Sequence, residues 1–134
     1  MPERNDIDNL INGYSQAYDS GDVAALADCF TDGAVFRMAL PEGDPVVFEG
    51  KEAIMAMMTE TLDSQSDQRR HCNSTIVVHG TENGVTRTTH YLTLLATEGG
   101  EIRLISAGVY KLEIVEDGGR LRMRRLDLAL DRPY

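Results

Sequence analysis

Cysteine is scarce. Only Cys29 and Cys72 occur in 134 residues, in no spacing that suggests a disulfide framework, so reduced thiols in a cytoplasmic setting are expected. No apolar run approaches the ~20 residues that a membrane helix requires, which excludes a transmembrane segment from the expectation. The opening "MPERNDIDNL" lacks the basic-then-apolar order of a signal peptide. Positive charge is also short. Thirteen Lys and Arg against 22 Asp and Glu give a net charge of −9, which argues against a nucleic-acid partner, since phosphate binding needs a basic face. The clusters "QRRH" and "RLRMRR" are the only basic concentrations, and the second alternates like a strand with one solvated face. Three histidines, His71, His79 and His90, stand in no HxH or HExxH spacing, and no CxxC occurs. No metal site is expected. Walker loop, GxSxG elbow and strand–GxGxxG–helix are all absent, so nucleotide and other cofactors have no positive support.

What is present is a soluble globular composition, 42% apolar and 26% charged, of a length that fits one domain spanning residues 1–134. Ile7, Leu10, Ile11, Tyr14 and Tyr18 keep helical spacing, with Asn5 or Asp6 as cap and Gly21 as the stop. A short second helix, "DVAALADCF", is expected to bury Val23, Leu26, Ala27 and Phe30, with Asp22 as its N-cap. A third, "KEAIMAMMTETL", repeats the pattern through Ile54, Met57, Met58 and Leu62. Between them "AVFRMALPEGDPVVFEG" reads as two short strands around a loop marked by Pro41 and Pro45. After residue 70 come four Val-, Ile-, Thr- and Leu-rich stretches, separated by "TENG", "EGGE" and "EDGGR". These are three hairpin signals and define an antiparallel meander of four long strands.

Helices first and a meander after give an α+β layout with helices on one sheet face. Long strands on a short chain twist and curl, and helices laid across the concave side leave a conical pocket. Tyr14, Tyr18, Phe30, Phe36, Met38, Met55, Met58, Tyr91 and Tyr110 are candidates either to line such a pocket or simply to fill the core.

Acid–base chemistry is what the residue types leave open. Asp19 falls in the last turn of the first helix, where the negative end of the helix dipole disfavours a carboxylate by a few tenths of a kcal/mol, up to ~1. It is either a tolerated surface charge or a working group. His71 opens the first long strand, and a carboxylate paired with it would fix its tautomer and raise its basicity. Spacing alone leaves both readings open. Asp19 shares a helix flank with Asp8, Asn12 and Ser15, outside the apolar stripe. Strand alternation groups His71 with Asn73, Thr75 and Val77, the set that looks wetter than Cys72, Ser74, Ile76 and Val78. His79 and His90 are expected on strand surfaces.

The stretches "INGYSQAYDSGDVAALADCFTDGAVFRM", "FEGKEAIMAMM" and "RRHCNSTIVV", followed by the meander, resemble the SnoaL-like branch of the nuclear transport factor 2-like superfamily over nearly the whole chain. That resemblance implies a cystatin-like α+β barrel: a curved antiparallel sheet wrapped on three helices around an apolar conical pocket. Many members are dimers packed through the outer sheet face, so a homodimer is implied, together with a small hydrophobic ligand. Tyr18 and Asp19 match the pocket Tyr-Asp pair of scytalone dehydratase, and His71 the histidine paired with that aspartate. Other positions depart: Met38 stands for a second tyrosine, Leu95 or Ala96 for a second histidine, and Gly108 for an asparagine. The resemblance therefore implies a lyase or isomerase without cofactor, though not scytalone dehydration itself. Asp19, His71 and Tyr18 would be catalytic, with Tyr14, Phe36, Met38, Met55, Met58, Tyr91 and Tyr110 around the substrate, an apolar oxygenated ring compound such as a polyketide, steroid or terpenoid. The alternative is a non-catalytic ligand-binding or assembly subunit, as in ring-hydroxylating dioxygenases, whose small subunits are typically longer. A third, an epoxide hydrolase, would draw on Arg125 and Asp127.

Overall fold

The computed structural model describes residues 1–134. Helix α1 (Arg4–Ser20) starts earlier than the sequence suggests. Glu3, not Asn5 or Asp6, is the N-cap, and its carbonyl takes the first turn's N–H groups from Asp6 and Ile7. Its apolar stripe, Ile7, Leu10, Ile11, Tyr14 and Ala17, is buried, and Gly21 ends it in the left-handed region. Helix α2 (Val23–Asp28) is capped by the Asp22 carboxylate, which accepts from the Ala25 N–H at 3.1 Å. Only Leu26 of α2 is buried. Val23 is 42% exposed, because six residues present too little surface for a full apolar stripe, and Phe30 belongs to the next element.

That element is β1 (Phe30–Ala39), followed by β2 (Val46–Glu49), α3 (Lys51–Ser64) and the long strands β3 (Gln68–Glu82), β4 (Val85–Glu98), β5 (Glu101–Asp117) and β6 (Arg120–Leu130). The three expected hairpins are present. Their central pairs, Asn83–Gly84, Gly99–Gly100 and Gly118–Gly119, all have positive φ, the backbone sense that matches the twist of the flanking strands. The sheet has the order β2-β1-β6-β5-β4-β3. It departs from a wholly antiparallel barrel in two ways. Strand β1 runs parallel to β6, and the sheet stays unclosed, with β2 and β3 as its edges.

The helices and the concave face share one core. Ile7, Ile11, Leu26, Phe30, Ile54 and Met58 pack against Leu92, Leu94, Ile114, Met123 and Leu126, each no more than 2% exposed. Gly108 on β5 is required by this packing, because a Cβ there would run into the Ala129 carbonyl oxygen of β6. His90 does not sit on the surface as expected. It is 3% exposed and stacks on Tyr110, its partner across β4 and β5, with ring centroids 4.7 Å apart. The inner face of β4 carries Thr86, Thr88 and His90 before it turns aliphatic at Leu92, so a polar-looking run is in fact the buried one. His79 is on the outside, its Nε2 2.8 Å from Thr89 Oγ1.

Strand β3 corrects the alternation. Thr75 has φ +56° and the β3–β4 register shifts between Ser74 and Val77. This bulge inserts a residue and reverses which face each side chain takes. Arg69, His71 and Asn73 before it point inward, as do Ile76 and Val78 after it. His71 is thereby on the concave side.

Candidate active site

The edge strand β3 meets the helix flank that carries Asp8, Asn12, Ser15 and Asp19. Arg4 pairs with Asp8 at 2.8 Å and donates to the Ile76 carbonyl at 3.3 Å. Asn73 Nδ2 donates to Ser15 Oγ at 2.9 Å and to Asn12 Oδ1 at 3.3 Å. At the far end Gln68 Nε2 donates to the Asp19 carbonyl at 2.8 Å. The polar flank of α1 is a seam against the strand, and Asp19 is its last stitch.

Both Asp19 oxygens engage His71. Oδ1 lies 2.6 Å from the ring Nδ1, and Oδ2 accepts from the backbone N–H at 2.9 Å. The two side chains are 10% and 7% exposed. An N–H donor aimed at a helix C-terminus offsets the dipole that disfavours Asp19 there. With Asp19 as acceptor, the contact matches the tautomer that carries its proton on Nδ1, and Nε2 has no hydrogen-bond partner within the chain.

His71 borders an apolar cavity of about 230 Å³. Tyr14 and Tyr18 come to it from α1, Phe36 and Met38 from β1, and Met58 from α3. Tyr110 of β5 closes the floor, where its ring rests on His90. Tyr18 meets the His71 ring edge-on, centroids 4.9 Å apart. Two residues anticipated around the substrate are elsewhere. Tyr91 points to the outer sheet face, 52% exposed, because strand alternation sets it opposite to His90 and Leu92. Met55 lies beside Asp32 and Lys51, one helical step away from the cavity side, and Met57 takes the place assigned to it. Phe30 packs edge-on against Tyr14 as core. Arg125 and Asp127, in the middle of the last strand, pair with each other at 3.1 Å in a hollow shared with Lys111 and Glu113, away from the cavity. These two residues therefore contribute nothing to the cavity, where an epoxide hydrolase would have needed them.

Sequence reasoning missed Arg69, Phe48, Leu128 and Tyr134, all on the cavity wall. Arg69 was legible in principle, two residues before His71 on the same strand face. Tyr134 arrives by a path with no local signal: after β6 the chain turns back, with Asp131 N–H bonded to the Ala107 carbonyl and Ser106 Oγ donating to the Arg132 carbonyl.

Four phenols therefore surround one space, and none of their hydroxyls is hydrogen-bonded within the chain. Burial raises the Tyr18 pKa, only partly opposed by the Arg69 charge. Burial, reinforced by the neighbouring phenols, holds Tyr14 and Tyr110 well above the ordinary value. Tyr134, although 52% exposed at its residue surface, is pushed up to about 12, chiefly by the desolvation of its phenol end. All four are O–H donors at neutral pH, free to serve an oxygen of a guest.

A curled, unclosed sheet over three helices, with a lined cavity between them, is a cystatin-like fold. The family model for the SnoaL-like domain matches residues 1–127, and the chain belongs to the SnoaL-like family. Solved structures agree in fold. A protein of Novosphingobium aromaticivorans, provisionally assigned as the beta subunit of an aromatic-ring-hydroxylating dioxygenase, superposes with a TM-score of 0.83 at 19% identity, covering 98% of this chain and 90% of that one. ActVI-ORFA of Streptomyces coelicolor gives 0.80 at 19% identity, covering 94% and 95%. A Catenulispora acidiphila protein in complex with S-DNPA gives 0.79 at 24% identity, covering 93% and 90%. No curated protein matches the chain significantly. No helix is long and apolar enough to cross a membrane.

Proposed function

We propose that the protein is a lyase or isomerase acting on an apolar, oxygenated ring compound by general acid–base catalysis. The observation that carries this is the double engagement of the Asp19 carboxylate on His71, a cavity-lining residue, which leaves Nε2 as the one imidazole nitrogen without a partner in the chain. In the proposed step, Nε2 removes a proton from carbon next to a carbonyl, and the proton is returned to another carbon or to a departing hydroxyl. Tyr18 donates to the carbonyl oxygen, a hydrogen bond that strengthens as enolate charge develops. Asp19 keeps the tautomer and favours the imidazolium that forms. Positioned proton transfer of this kind supplies ~10²–10⁴-fold. All groups in the step belong to this chain.

Exchange of carbon-bound protons tests the reading without knowledge of the natural substrate. The acetyl group of 6-acetyl-2-naphthoate should exchange with D2O faster in the presence of the protein, followed by NMR. His71→Gln should abolish the acceleration. Acceleration that survives His71→Gln would sink the proposal.

A second reading, an assembly role, draws on the outer sheet face. Val77, Tyr91, Ile102 and Leu104 stand there 44–70% exposed, and cross-strand pairing puts Val77 and Leu104 on the side that Tyr91 occupies. Length does not speak against a subunit role, since the chain covers 90% of the provisionally assigned beta subunit. We read this face as the homodimer contact. Recovery of a large partner, rather than a homodimer, in a native pull-down would favour assembly.

A further inference from the structure

The cavity wall holds one cation, Arg69, and its chemistry is not used by the proposed proton transfer. Of the other polar groups there, the Thr61 hydroxyl is taken by the Met57 carbonyl at 2.9 Å and His71 Nδ1 by Asp19, while the four phenols and Nε2 carry no positive charge for an anion. The guanidinium is held on two sides. Its Nε donates to Asp67 Oδ1 at 2.9 Å, with the two side chains 17% and 11% exposed. Its face is covered by the Tyr134 ring, 5.3 Å from the ring centroid. The two Nη groups make no hydrogen bond or ion pair within the chain, the only such contact of the guanidinium being the one through Nε. A guanidinium fixed at Nε and at its face, with a fork that no side chain occupies on a largely apolar wall, matches a planar two-oxygen anion.

We propose that Arg69 is a specificity residue that binds a carboxylate on the ligand, so that the pocket takes ring compounds carrying both a carbonyl and a carboxylate. This rests on the reading of the cavity as the His71 substrate site and sharpens it. Arg69 and His71 stand two residues apart on the same face of β3. In an extended strand that spacing is about 7 Å, roughly the span across one or two fused rings. The carboxylate thus lies at the Tyr134 end and the reacting carbon beneath Nε2. Asp67 takes only Nε, so the ligand anion need not displace it.

The test compares two probes of nearly equal shape, 6-acetyl-2-naphthoate and its neutral analogue 6-acetyl-2-naphthamide, by titration calorimetry on the full chain. The wild-type protein should bind the acid roughly tenfold or more tighter than the amide, as expected for a charge-assisted fork. Arg69→Gln should bring the two within about twofold, chiefly by weakening the acid. The double variant Asp67→Asn/Arg69→Gln leaves no unpaired buried charge and should show the same collapse, which covers the case in which the single variant folds poorly. His71→Gln should keep the preference for the acid. Equal binding of the two probes by the wild type, no binding of either, or a preference that persists in both Arg69 variants would overturn the proposal. The two ideas separate cleanly: acid preference without proton exchange refutes the catalytic reading alone, and exchange without acid preference refutes the carboxylate site alone.

Discussion

His90 makes the stability of this fold depend on pH in the acid range. Burial lowers its pKa from 6.5 to about 4, since the ring is 3% exposed and its Nδ1 has no partner to share a proton. In the unfolded chain the same imidazole titrates near 6.5. Between about 6.5 and about 4 the unfolded state therefore holds a proton that the folded state refuses, so stability falls as pH falls through that window and the loss levels off below it. A difference of roughly two and a half pKa units at 1.36 kcal/mol each amounts to about 3 kcal/mol. His90→Phe keeps an aromatic ring on Tyr110 and removes the titration. Urea unfolding of both proteins should be followed from about pH 7 to about pH 4. Packing differences between Phe and His are constant across pH and cancel, so the wild type should lose about 3 kcal/mol more than the variant over that range. Parallel pH curves for the two proteins would refute the argument.

Other outcomes follow from the same geometry. Asp19→Asn keeps the size of the side chain but no longer enforces a proton on Nδ1, so the exchange rate should fall by ~10²-fold or more with the fold retained by circular dichroism. Gly108→Ala drives a Cβ into the Ala129 carbonyl and should cost about 1–3 kcal/mol in urea unfolding. Leu126→Ala, fully buried in the shared core, should cost about 2–5 kcal/mol by the same method. Tyr91→Glu places a charge on the exposed apolar face of the proposed homodimer and should leave only monomer in analytical ultracentrifugation, where the wild type is expected to sediment as a dimer; a wild-type monomer would refute the proposed contact.

The elements whose information is local could be read from the chain. The Asn-Gly and Gly-Gly turns announce themselves, because only a positive-φ pair completes a two-residue hairpin, and the α1 stripe follows from helical spacing. The parallel neighbourhood of β1 and β6 has no such signal, since its partners lie some ninety residues apart and no turn joins them. Alternation alone points His71 toward the wetter face for a specific reason. Thr75, a β-branched residue with no visible inclination toward positive φ, carries the bulge that shifts the phase of β3, and period-two reasoning assumes a phase that never shifts. The flank of Asp8, Asn12, Ser15 and Asp19 was legible as a polar stripe but not as a seam, because polarity marks water and hydrogen-bonded strand edges alike. The pairing of Asp19 with His71 came from family resemblance. Met57 in place of Met55, and the arrival of Tyr134, depend on helix rotation and on the return of the last residues over β5, both set by tertiary packing.

The most direct test of the account is the ¹⁵N NMR signature of His71 with and without a guest in the cavity. The account predicts an imidazole protonated on Nδ1 and bare on Nε2. Saturating 6-acetyl-2-naphthoate should move the Nε2 resonance while the Nδ1 proton stays on Asp19. A proton on Nε2 in the free protein, or a guest that perturbs neither nitrogen, would contradict it.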